Sequence, residues 1–190
     1  MIDDAASITL GEGRLVHDSL PNRDQDPVLT LYAHYFLAAE LMRSNYAKLQ
    51  SKLKRRGRLS RKDTVDQGIY FGTWLGFLGV TCEGFRKLRI RLLLQENRPE
   101  DFRELIPKSD AIGRVIKQHT DPLREFRNNV FHLRDDFGAI ERSFANGSVR
   151  LRWAEELHTA FGDLFSEYRI LCEVHYFIHN RPIEMGGGEP

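Results

Sequence analysis

A chain of 190 residues has the length of one domain, and 41% hydrophobic against 29% charged residues is enough apolar content to bury a core rather than stay disordered. The formal net charge of +1 excludes a protein drawn to nucleic acid by its global field, so any such binding must come from a local patch. Two cysteines, Cys82 and Cys172, make no disulfide framework and are expected to be reduced, partly buried thiols.

The first residues, Met1-Ile2-Asp3-Asp4, are acidic and lack the basic-then-apolar layout of a signal peptide. Residues 1–26 are polar, carry Gly11, Gly13 and Pro21, and show no sustained period. They are expected to form a loosely ordered arm. Helical periodicity starts near Val28 and runs to about Lys54, with apolar positions that include Leu31, Tyr35, Phe36, Met42, Tyr46 and Leu49. The corner that follows holds Lys52, Lys54, Arg55, Arg56, Arg58, Arg61 and Lys62, read as the one strong charge cluster of the chain. They are seven of the 28 basic residues, so against 27 acids the remainder is mildly acidic. This corner is a candidate contact for an RNA backbone through counterion release. The plainer reading is a solvated loop around Gly57.

A second helix is predicted from Thr64, where Thr64-x-x-Gln67 reads as a capping box, to about Gln95. Gly68, Gly72, Gly76 and Gly79 recur along one face of it, which fits a packing seam. Glu83 continues that face as a carboxylate in an apolar stretch and should need a cationic partner, with Arg127 the expected one. The longest nearly apolar run, Ile69 to Cys82, falls short of the ~20 residues a membrane span needs. A cytoplasmic protein without membrane association is therefore expected.

Short helices are predicted near Pro99–Ile106 and Asp110–Lys117, and Asp121-Pro122 opens another that runs to about Phe137. Asn146-Gly147 marks a candidate small hairpin. A last long helix is expected from about Ala154 to Asn180, with the bundle ending near residue 181 and a flexible tail over 182–190. The expected fold is thus all-α, a helical bundle of four to five main helices with little or no strand.

The helix over 123–137 carries the chemistry. At about 100° per residue, Leu123, Phe126, Val130, Leu133 and Phe137 gather into one core-facing stripe. Arg124, Asn128, His132 and Asp135 fall on the far side with Phe131 beside them, and Arg127 sits at the edge. An aromatic ring beside a polar constellation on the outer face points to a second subunit covering it.

Arg127-Asn128-Asn129-Val130-Phe131-His132 resembles the Arg-(four to six residues)-His signature of the HEPN superfamily, including the polar residue after the Arg. The resemblance extends to the helical architecture over residues 28–180. It implies a four- or five-helix bundle that dimerises and brings two copies of the motif together. Many such domains are ribonucleases in toxin–antitoxin, abortive-infection or CRISPR-linked defence systems. Some members have lost catalysis and act as modules that bind nucleotide, nucleic acid or a protein partner. Where some toxin members carry Tyr two residues past the His, a site of nucleotide modification, this chain has Arg134, which argues against regulation of that kind.

These residue types suit metal-independent RNA cleavage through the 2′-hydroxyl to a 2′,3′-cyclic phosphate. Histidine titrates near neutrality and can carry the proton, while arginine is a permanent cation for the charge growing on phosphorus. The expected catalytic residues are Arg127, Asn128 and His132, assisted by Glu83, Asp135 and Arg124. Arg127 and His132 point about 140° apart on one helix, so facing copies in a homodimer are needed to build one site. The expected partners are RNA, a second copy and an antitoxin or other protein. No cofactor is expected. His175 and His179 stand one turn apart but with no carboxylate between them, so no metal site is expected either.

Overall fold

A computed structural model describes residues 20–118 and 148–185, with side chains from residue 151 onward in the second stretch. The described chain is all-α, and among the described residues there is no strand.

The first helix (α1, residues 27–56) opens with Pro27–Leu31, passes through a π-helical turn at Tyr32–Phe36 and continues as Leu37–Arg56. Asp26 caps it by accepting from the backbone N–H of Val28 at 2.8 Å, and Pro27 stands where an N–H would have no partner. Gly57, in the left-handed region with φ 69°, ends it. The second helix (α2) is Arg61–Lys87. Its capping box is built by Ser60 and Asp63, not by Thr64 and Gln67 as predicted. The Ser60 Oγ accepts from the Asp63 N–H at 3.1 Å and Asp63 accepts from the Ser60 N–H at 3.3 Å. The Thr64 hydroxyl instead donates to the Ser60 carbonyl.

The predicted run to Gln95 is also broken. After Lys87 the backbone turns at Leu88–Arg89, Arg89 takes φ 49° and ψ 51°, and a separate helix (α3) runs Ile90–Glu96. A 3₁₀ stretch, Glu100–Leu105, leads without a gap into α4, Ile106–Gln118, with Pro107 in its first turn. The last described helix (α5) is Ser148–Ile178, followed by a 3₁₀ turn at Pro182–Glu184. Residues 148–153, the second arm that a hairpin at Asn146-Gly147 would use, are helical.

The core follows from the spacing on α5. Trp153, Leu157, Phe161, Leu164, Phe165, Tyr168, Cys172 and Tyr176 recur at helical intervals and are all buried. They pack on Phe36 of α1, on Trp74, Leu78 and Phe85 of α2, and on Phe102 and Ile112 farther along. Phe36, Phe161 and Phe165 form a ring cluster with centroids 5.2–6.2 Å apart. Burial pushes the thiols of Cys82 and Cys172 up, away from the reactive thiolate, as small core residues.

One polar network crosses this core. Asp26 is fully buried and accepts from Arg98 Nη2 at 3.1 Å and from the Tyr168 hydroxyl at 2.7 Å, while Arg98 Nε donates to the Tyr168 oxygen at 2.6 Å. The cap of α1, the turn after α3 and the middle of α5 are thereby tied at one point. Residues 20–26, assigned to the arm, pack here too. Leu20 is buried, the Pro21 carbonyl accepts from Tyr176, and Arg23 pairs with Glu173 at 2.5 Å. No described helix is long and apolar enough to cross a membrane.

Candidate functional site

The motif residues Arg124, Arg127, Asn128, His132 and Asp135, with Phe131, lie outside the described residues. Of the predicted assisting groups, Glu83 is described. It is exposed on α2 and not sealed into an apolar seam, so burial places no demand for a cation on it. The glycine face is uneven. Gly76 and Gly79 are buried, but Gly68 is exposed and a Cβ there would meet nothing within 4 Å. Farther along the helix, at Gly84, a Cβ would run into the Leu31 side chain.

The predicted basic corner divides in two. Lys52 pairs with Asp63 at 2.6 Å, and Lys62 with Asp66 at 2.5 Å. Hydrogen bonds from Lys52 and Ser60 hold the Asp63 carboxyl down at about 2, so Lys52 is tied to the helix cap, while Lys62 reaches one turn along α2 from an exposed position. Lys54, Arg55, Arg56, Arg58 and Arg61 remain exposed around Gly57.

That corner is not the one basic cluster. Arg86-Lys87-Leu88-Arg89-Ile90-Arg91 straddles the break between α2 and α3, and a groove of about 360 Å³ opens there against α4. Arg86, Arg89 and Arg114 line it, over Phe85, Ile90 and Gly113. Arg91 is held by Asp110 at 3.3 Å. The hexapeptide is visible in the sequence. What joins it to Arg114 is the turn at Arg89, which no Gly or Pro announces.

A second feature absent from the sequence reading is a relay through α5. Trp74 Nε1 donates to His158 Nδ1 at 3.1 Å, which leaves the imidazole proton on Nε2 to donate to Glu40. Arg43 bridges Glu40 and Glu155, with its Nε 2.6 Å from Glu155. Burial lowers the His158 pKa and outweighs the upward pull of Glu40, so the ring is a neutral element linking three helices. Both its nitrogens are occupied, which suits a positioning role better than proton transfer. His175 and His179 stack at 4.0 Å, and His179 Nδ1 lies 2.9 Å from the His175 carbonyl. Among the described residues no group of three His, Cys, Asp or Glu side chains is placed to hold a metal ion.

Comparison with family models, with curated proteins and with solved structures returns no match.

Proposed function

We propose that the chain is a homodimeric, metal-independent endoribonuclease of the HEPN type, acting in a toxin–antitoxin or phage-defence setting. The observation that carries this reading is the Arg127-Asn128-x-x-x-His132 string in a chain that folds as an all-α bundle. In the proposed step a general base takes the proton of a ribose 2′-hydroxyl. The oxygen attacks the adjacent phosphorus, and the departing 5′-oxygen takes up a proton, leaving a 2′,3′-cyclic phosphate and a 5′-hydroxyl. His132 carries the proton, Arg127 stabilises the charge on the phosphorane and Asn128 orients the ring or the phosphate.

The test is to incubate the purified protein with mixed RNA in excess EDTA, beside a His132→Ala variant. Cyclic-phosphate ends from the wild type alone support the enzyme. Equal inertness of the two proteins refutes it and favours the second reading, a non-catalytic module that binds nucleotide, nucleic acid or a protein partner. The specific observation behind that reading is the basic groove beside α3, which needs no catalytic residue to hold an anion.

A further inference from the structure

Several cations of the described surface are held by carboxylates, whereas those around Gly57 are spread over an exposed corner. Arg23, Arg43, Lys52, Lys62, Lys108 and Arg152 each pair with a carboxylate. Arg86, Arg89 and Arg114 do not: the three line one groove, and none of their guanidinia has an ion pair or a hydrogen bond among the described residues. Holding like charges around a single groove costs free energy that an anion seated between them recovers. The one carboxylate that lines it, Asp110, is engaged by Arg91.

The backbone is unusual at the same place. Arg89 and Asn180 are the described non-glycine residues with positive φ, and Arg89 sits on the rim. A left-handed backbone is strained for arginine, and such strain tends to mark functional positions. Under the guanidinia the lining is apolar, with Phe85 and Ile90 buried and Leu92 partly exposed. At Gly113 an added Cβ would enter open space. Charged rim, apolar floor and a volume of about 360 Å³ match a ligand that is anionic at one end and flat and apolar at the other.

We infer that this groove is a nucleotide site: the phosphate is held in the fork of Arg86, Arg89 and Arg114, and the base lies against the apolar floor. Arginine's planar donors suit phosphate oxygens in pairs. A free nucleotide and one residue of a strand offer the same chemistry. The site does not depend on the ribonuclease reading, because binding is measured with probes that the proposed cleavage cannot act on.

Two probes serve, both in EDTA at low salt: adenosine monophosphate, followed by calorimetry, and a fluorescein-labelled oligodeoxythymidylate of about eight nucleotides, followed by polarisation. The oligodeoxynucleotide has no 2′-hydroxyl, so failure to bind it is separable from failure to cleave RNA. An Arg86→Gln/Arg114→Gln variant should weaken binding by about 10- to 100-fold and flatten its dependence on salt, since each lost phosphate contact removes about one unit of slope. Arg89→Gly removes a guanidinium while giving the left-handed position the residue that adopts it freely, so it should lose affinity without losing thermal stability. Gly113→Leu should block the groove while keeping every charge. Loss of both probes in these variants identifies a free nucleotide as sufficient. A wild type that binds the oligonucleotide but not the mononucleotide, and loses it in the variants, identifies the strand as the ligand. Binding that survives all three changes, or a wild type that binds neither probe, overturns the site.

Discussion

Replacing Arg98 by Ala removes one member of the buried network without touching the surface. The Arg98 side chain is 5% exposed and that of Asp26 0%. The variant loses the 3.1 Å contact to Asp26, the 2.6 Å bond to the Tyr168 oxygen and the 2.7 Å bond to the Asn97 carbonyl. Asp26 keeps the Val28 N–H and the Tyr168 hydroxyl but no cation, and breaking a buried pair in this way costs about 3–5 kcal/mol. Domains of ordinary stability have about 5–15 kcal/mol in all, so Arg98→Ala should fold but marginally. With a urea m-value near 2 kcal/mol/M, the unfolding midpoint should fall by about 1.5–2.5 M at pH 7. A midpoint within about 0.5 M of the wild type, with the same m-value, would refute the network's role in tying α1 to α5.

Other consequences are equally direct. Because burial lowers the His158 pKa, the unfolded chain takes up that proton first, so the stabilisation is fully present above about pH 6.5 and declines as the pH falls below it. Urea melts between about pH 7 and 5.5 should show the decline, and a His158→Gln variant should show a smaller one; a flat wild-type profile contradicts the neutral relay. Gly68→Ala fills open space on a helix and should stabilise by up to about 1 kcal/mol in the same melts. Gly84→Ala drives a methyl against Leu31 and should be worse than Gly68→Ala by about 1–3 kcal/mol, the cost of overpacking. Equal effects of the two alanines would mean that the α1–α2 contact is not tight there.

Helices were legible where apolar residues repeat at 3.6. The α5 stripe from Trp153 to Tyr176 is readable by eye, and the all-α bundle follows from it and its counterparts on α1 and α2. Boundaries set by hydrogen bonds between particular side chains were not. Thr64-x-x-Gln67 and Ser60-x-x-Asp63 are both plausible capping boxes four residues apart, and only the folded cap distinguishes them. The break at Arg89 has no glycine or proline to betray it, so the run from Thr64 to Gln95 read as one helix. Its consequence, a groove joining Arg86 and Arg89 to Arg114, was invisible for the same reason. Long-range polar contacts leave no local pattern either: Asp26, Arg98 and Tyr168 span most of the chain, as do Glu40, Trp74 and His158. The motif itself was readable as chemistry from the sequence, and its placement lies outside the described residues.

The claim at the centre is that one active site takes its guanidinium and its imidazole from different subunits. The direct measurement pairs two inactive proteins, Arg127→Ala and His132→Ala, each with its own affinity tag, and isolates the mixed dimer by successive capture. By twofold symmetry one of its two sites is intact, so RNA cleavage should return to about half the wild-type rate while both parent homodimers stay silent. A mixed dimer as inert as its parents, with all three proteins folded and dimeric, would contradict the account.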